Sequence, residues 1–320
     1  MGRATRGLVF WFALALILLL GVVATRTVEN AFFFFAGYAI LQATIMAVAW
    51  NILGGFTGYV NFGSAGFFAI GAYTSIALAN AFDPPLIVPL LVAALIGGLV
   101  GLGTGYLTLR LRGVYFAIAT LAMAIVFETF VNNWDYVGAA TGAYILTPDP
   151  PFFFDSYIEF LFALILSLAL IAIAIARHLR ISRIGQGLAA IRDDEVAAEC
   201  TGVPTLRLKL VSTTVMGALM AIAGAPYPFF VTYVDPLSAF NLVIAVNAIA
   251  MPMIGGSATW YGPVVGALLL GSIQEVATVT ISSEINVLIV GVLLVAFIMV
   301  APQGIVGLIQ ASWRRLRPHD

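Results

Sequence analysis

The chain has 320 residues, of which 62% are hydrophobic and only 9% charged, with a formal net charge of −1. A soluble domain carries roughly 25% charged residues, so composition excludes a soluble globular fold and leaves the bilayer as solvent. The apolar residues come in long runs and not in alternation, which excludes a transmembrane β-barrel. The single cysteine, Cys200, excludes an internal disulfide and any cysteine-based metal cluster.

A helix needs about 20 apolar residues to cross ~30 Å of hydrocarbon. Taken in order, apolar segments cover 8–25, 32–53, 63–81, 86–109, 114–132, 157–176, 207–228, 239–255, 262–281 and 285–301. The expectation is an all-α polytopic membrane protein: one transmembrane domain over 1–320 with about ten helices, eight at the fewest. The lower count applies if pieces of 32–81 and 239–281, which glycine and proline interrupt, are re-entrant. Arg3 and Arg6 precede the first segment, which reads as an uncleaved signal-anchor because no small-x-small cleavage site follows it.

Arginine placement sets the expected orientation. With the N-terminus inside, ten spans put loops 54–62, 110–113, 177–206 and 256–261 and the tail after 301 in the cytoplasm. Those loops and their edges hold Arg110, Arg112, Arg177, Arg180, Arg183, Arg192, Arg207, Lys209, Arg314, Arg315 and Arg317, against Arg26 alone on the far side. The far side carries acids instead: Glu29, Asp83, Asp135, Asp149, Asp155, Asp235 and Glu284. Both termini are therefore expected in the cytoplasm of a multi-pass protein of the cytoplasmic (inner) membrane. Loop 133–156 is the longest on the outside; Pro148, Pro150 and Pro151 forbid regular helix there, and Trp134, Tyr136 and Phe152–Phe154 suit an interfacial aromatic belt.

Glycines interrupt the second and third segments. Gly54, Gly55, Gly58, Gly63 and Gly66 lie among Asn51, Thr57, Asn61 and Ser64. Two readings stand: close helix packing, or a broken helix whose free backbone groups line a path for a polar solute. Glu128 sits inside the fifth segment and is a candidate for that path because an ionisable residue in a span is expensive; Glu275 carries the same ambiguity. Asn132 to Asp135, with Asn133 among them, reads either as a contact for an external protein or as anchoring by Trp134.

Charge concentrates in one place. The window Arg177–Lys209 holds six of the fourteen basic and four of the fifteen acidic residues. Alanines at 189, 190, 197 and 198 predict a short helix over 185–202, stopped by Gly202 and Pro204. Such a helix, small on one side and charged on another, is either a solvated linker or a docking element whose register charge fixes.

Several chemistries are absent from the sequence. A P-loop needs lysine directly after glycine, and the only lysine, Lys209, follows Leu208. There is no H-E-x-x-H and no cluster of His, Asp and Glu within the spans. No enzyme is expected, no metal site, and no nucleic-acid partner.

The run "SRIGQGLAAIRDDEVAAECTGV" resembles the cytoplasmic loop of ABC importer permeases for branched-chain amino acids, with its pattern G-x-A-L-x-A-I-R-x-D-E-x-A-A-x-x-x-G. It departs at Gly187, where that family usually has alanine. "NILGGFTGYVNFGSAGFFAIGAYTSIAL", "LRGVYFAIATLAMAIVFETFVNNWDYVGAATG", "IGGSATWYGPVVGALLLG" and "APQGIVGL" are similar to four further family segments in the same order, with Ala258 replacing one glycine. The likeness runs from about Ala39 to Leu308 and points to the M-type subunit, which pairs with an H-type homologue.

The resemblance implies a type II-like ABC importer permease fold with a coupling loop at 177–206. It assigns ATPase coupling to Gly187, Leu188, Ile191, Arg192, Asp193, Asp194, Glu195, Ala198 and Gly202, and the glycine segment to the solute path. It implies a heterodimer with a homologous permease, two ATP-binding subunits inside, a solute-binding protein outside and lipid around. No cofactor is bound by this chain; ATP is used by the partners. The cargo it implies is a branched-chain or related small amino acid, with urea or a short amide as the alternative. An ion-coupled secondary transporter would need buried ionisable residues at the midplane, and here nearly every charge maps to a loop or a span end.

Overall fold

The computed structural model describes residues 3–82, 84–151, 153–280 and 304–309, with isolated positions between 288 and 299. Five long helices come first: α1 (Arg3–Thr27), α2 (Ala31–Thr57), α3 (Ser64–Phe82), α4 (Ile87–Thr108) and α5 (Val114–Asn132). After an irregular crossing come α6 (Tyr157–Ile181), the short pair α7 (Arg183–Asp193) and α8 (Glu195–Cys200), and α9 (Thr205–Gly224). The chain continues through α10 (Tyr227–Val231), α11 (Pro236–Ala239), α12 (Leu242–Gly255) and α13 (Gly262–Thr280). Among the described residues eight stretches are long and apolar enough to cross a bilayer, with α9–α10 and α11–α12 each counting as one. The expected segment 285–301 lies largely outside the described residues.

α2 is the hub. From Thr44 to Thr57 it is buried on every side, the mark of a helix that touches protein and not lipid all round. Asn30 caps its start, accepting from Phe32 N at 3.0 Å. It ends where Gly58 takes a left-handed conformation, φ 81°, which glycine reaches without steric cost. α6, α9, α12 and α13 surround it.

α4 lies along α9 on a stripe of small residues. A Cβ at Gly101 would sit 2.5 Å from Thr213 O, and one at Gly97 2.6 Å from Gly217 O. Small residues four apart let helix backbones meet in a solvent that gives no hydrophobic drive to association.

α1 is peripheral and rests on α6. One end is held by Arg26, which pairs with Asp155 at 3.5 Å and lies 4.5 Å over the Phe153 ring. At the other end the Arg177 guanidinium lies 3.9 Å over Phe10, a cation–π contact.

The irregular crossing agrees with its prolines. Two 3₁₀ turns, Asp135–Val137 and Ala139–Thr141, lead to β1 (Ala143–Tyr144), which pairs antiparallel with β2 (Tyr233–Val234). Trp134 stacks on Tyr136 at 6.2 Å.

One expectation is corrected. The helix expected over 185–202 is two helices that meet at Asp194, whose backbone is extended at φ −160° and ψ 113°. The Asp194 carboxylate accepts from Val196 N at 2.9 Å and Ala197 N at 3.0 Å. Aspartate competes for backbone donors in this way and starts a helix as readily as it sits within one. Asp194→Ala is expected to lose about 1 kcal/mol of local stability, read as faster amide exchange across α8 with the spans unchanged.

Candidate functional site

The charged segment folds back onto the ends of the spans. Leu188 is fully buried, Ile191 is 3% exposed, and Gly185 and Ala198 are buried beside them. These are the apolar positions of α7 and α8, and they face the chain's own helices. Gln186, Asp193, Asp194, Val196, Ala197, Glu199 and Cys200 are exposed on the other side. Val196, 54% exposed, is an apolar residue in the middle of that polar face. Gly187 is half-buried against Leu208, and Gly202 ends the segment in a left-handed conformation, φ 85°. Arg192 is itself exposed, and its guanidinium reaches back to donate to Gly55 O at 2.6 Å, satisfying a carbonyl near the end of α2.

Glu195 turns inward, at the centre of a cluster. Lys209 Nζ donates to its Oε1 at 2.6 Å. The Tyr59 hydroxyl donates to its Oε2 at 2.5 Å. Arg112 Nε stands 3.9 Å from the same oxygen. Lys209, only 3% exposed, also reaches Tyr59 Oη at 3.1 Å and Leu109 O at 3.3 Å, and lies 4.6 Å over the Tyr59 ring. Burial acts to raise the Glu195 pKa, but the hydrogen bonds from Lys209 and Tyr59 and the charges of Lys209 and Arg112 outweigh it, so the carboxyl titrates below its ordinary range. Burial, then the hydrogen bond to Glu195, pushes the Tyr59 hydroxyl well above its ordinary pKa, so it stays a donor.

Sequence reasoning includes Glu195 but misses Tyr59, Arg112 and Lys209. The available signal is that the only lysine of the chain stands at the start of an apolar segment.

The glycine segment is packed. A Cβ at Gly55 would lie 2.5 Å from Ser257 O, one at Gly63 2.6 Å from Thr120 O, and one at Gly66 3.3 Å from Ala124 Cα. Asn61 shapes the α2–α3 turn: its side chain accepts from Gly63 N at 2.6 Å and its carbonyl from Trp50 Nε1 at 2.8 Å. Asn51, 1% exposed, donates to Thr259 O at 3.1 Å, while its Oδ1 and the Ser64 hydroxyl are buried without a hydrogen-bond partner among the described residues. Glu128 is half-buried on α5, and Asn133 caps the far end of that helix with its side chain on Thr129 O at 2.8 Å. The structure thus splits these residues: Asn51 and Gly55 face the α12–α13 turn, Gly58 faces Arg192, Asn61 and Gly63 line one cavity with α5, and Gly66 packs on α5 at Ala124. Between α3, α4, α5 and α9 lies a narrow cavity of about 10 Å³, lined among others by Asn61, Thr108, Thr120 and Thr213. That space is at the lower limit for one water.

Two motifs distant in sequence meet at the α12–α13 turn, where a Cβ at Gly304, itself at φ 71°, would lie 2.5 Å from Gly256 N. Among the described residues no group of three His, Cys, Asp or Glu could hold a metal ion.

The profile of a family described as the permease component of the branched-chain amino acid transport system matches residues 31–298. The LivM permease protein of the high-affinity branched-chain amino acid transport system of Escherichia coli K12 is 27% identical over 287 residues, covering 82% of this chain and 67% of that protein. The LivH permease protein of the same system in E. coli K12 is 25% identical over 283 residues, covering 82% and 90%. A solved ABC transporter chain, inward-facing and provisionally of metal-chelate type, aligns over 91% of this chain and 98% of its own at 17% identity, with a TM-score of 0.49.

Proposed function

The chain belongs to the family of branched-chain amino acid transport permease components, and we propose that it is the membrane-spanning subunit of an importer driven by ATP hydrolysis on separate chains. The cargo is a branched-chain or related small amino acid. The partners are a homologous permease, two ATP-binding subunits at the α7–α8 end and a solute-binding protein at the β1–β2 end. The arginine bias supports placing the α7–α8 end at the cytoplasm.

One observation carries this reading. A short amphipathic helix pair is tied to the ends of the spans by its inner face and leaves its outer face open. A plain linker has no need of that inner anchoring, whereas an element that transmits a push from a docked subunit does. The missing P-loop fits a motor on another chain, and the cavity of about 10 Å³ between α3, α4, α5 and α9 fits a path completed by a second permease.

The test is uptake by the complete complex in proteoliposomes, with labelled leucine, isoleucine, valine and urea. ATP-dependent uptake of the amino acids is expected, and none by this chain alone. Accumulation against a gradient without a nucleotide-hydrolysing partner would overturn the reading, and uptake of urea alone would move the cargo to amides. Asp193→Arg with Val196→Asp, both on the outer face, is expected to reduce uptake about tenfold through lost docking complementarity, with unchanged amounts of permease in the membrane.

A further inference from the structure

We propose that Glu195 is a positioning residue that makes α8 a lever on a narrow cavity between the spans, and that it does so through Lys209 and Tyr59 and not by touching an ATPase. This rests on the reading that the chain is an ATP-coupled permease.

The geometry carries it in three steps. First, the Glu195 carboxylate is spoken for. Lys209 takes one oxygen at 2.6 Å, and Tyr59 takes the other at 2.5 Å with Arg112 at 3.9 Å. Its side chain is 13% exposed, and both oxygens are already hydrogen-bonded, so the outer face of α8 offers a docked subunit more than this carboxylate does.

Second, the cluster joins three separate segments to α8. Tyr59 belongs to the α2–α3 turn, Leu109 and Arg112 to the end of α4 and the turn that follows it, and Lys209 to the first turns of α9. Leu188, Ile191 and Ala198 also anchor the pair, but apolar contacts are not directional and permit sliding. Charged hydrogen bonds of fixed geometry do not. Glu195 is also the first residue after the extended Asp194. A displacement of α8 about that joint therefore reaches the spans first through this carboxylate.

Third, the same segments enclose the cavity. Asn61 is two residues from Tyr59, Thr108 is next to Leu109, and the Thr213 hydroxyl donates to Lys209 O at 3.2 Å. Each anchor of the cluster stands within about one helical turn of a cavity-lining residue. Moving the cluster pulls α3, α4 and α9 together at the point where they close over that space.

The experiment uses Glu195→Gln and Lys209→Met in the full transporter, with exposed Arg207→Gln as control. It reads ATPase retention on purification, ATP hydrolysis, leucine moved per ATP, and the mobility of a nitroxide on Cys200, the only cysteine, at the exposed end of α8. Both variants are expected to keep the ATPase bound and hydrolysing. Leucine moved per ATP should fall at least about tenfold, and the label should gain mobility. The charge exchange Glu195→Lys with Lys209→Glu should recover part of both. Wild-type yield per ATP in either single variant overturns the proposal. So does loss of the ATPase in Glu195→Gln but not in Lys209→Met, which would make the carboxylate a docking contact. If a single variant fails to insert, Tyr59→Phe, which removes one hydroxyl, decides on the same readouts. The label mobility is also measured on this chain alone, so it tests the lever even if the wild-type complex moves no leucine, which would sink the importer reading instead.

Discussion

Glu195→Ala is expected to lower the stability of the purified chain by about 3 kcal/mol, the lower end of the 3–5 kcal/mol typical when one partner of a buried ion pair is removed. Lys209 would be left 3% exposed and without a counter-ion. It would keep the Tyr59 hydroxyl at 3.1 Å and the Leu109 carbonyl at 3.3 Å, which is why the lower end applies. Replacing both partners, Glu195→Leu with Lys209→Met, is expected to be near neutral or stabilising, because desolvating two charges consumes most of what their attraction returns. Thermal melts of wild type, Glu195→Leu, Lys209→Met and the double variant in one detergent close the cycle. An unchanged midpoint in Glu195→Ala would mean that the pair is not formed. The pH dependence has a definite sign. Because the folded pKa of Glu195 lies below its ordinary 4.5, the contribution is complete above that value and is lost as pH falls through the lowered one. The wild type should therefore lose stability on acidification in a way that the double variant does not. That double variant also separates stability from coupling: it should melt like wild type and still transport poorly.

A span's bounds are legible in the sequence where its apolar run ends at a residue that also ends a helix. Hydropathy marks segment 114–132, and α5 runs from Val114 to Asn132 between Gly113, at φ 57°, and the cap at Asn133. For α6 the apolar run is five residues short, since hydropathy stops at Arg177 whereas the helix stops at Ser182. Basic residues in a last turn suit the helix dipole and do not end it. The break at Asp194 is hidden because its alanine-rich flanks favour a continuous helix, and a single capping side chain decides otherwise. Of the cluster around Glu195, only Glu195 itself and the lone lysine at a span start are marked in the sequence. Its partners are 136 residues away at Tyr59 and 14 away at Lys209, and only the docking of α8 across the span ends brings them together. Glycine spacing announces tight packing in the α2–α3 region, but a spacing does not say which backbone approaches. Gly63 meets α5, whereas Gly55 meets the α12–α13 turn.

Gly71→Leu is expected to leave almost no folded protein in the membrane. A Cβ at Gly71 would fall on the Ala221 carbonyl oxygen of α9, and a Cβ at Gly224 on the Phe68 carbonyl oxygen of α3. The two glycines are reciprocal, one on each helix, each three residues from the carbonyl that the other faces. Neither obstacle is a flexible side chain, so relief requires moving a whole helix. Overpacking costs typically 1–3 kcal/mol where side chains can shift, and more where they cannot. Even Gly71→Ala should lower the melting midpoint measurably. Gly103 is the control: it lies in α4, a more apolar span, and a Cβ there would have nothing within 4 Å. Gly103→Leu removes the helix cost of glycine, up to about 1 kcal/mol, and should be neutral or mildly stabilising. Normal yield and melting of Gly71→Leu would refute the α3–α9 contact. That contact bears on transport as well as on folding. α3 starts just past Tyr59 and α9 carries Lys209, so two helices this closely apposed must shift as a unit when α8 moves, and a wedge between them should loosen coupling even in a variant mild enough to fold.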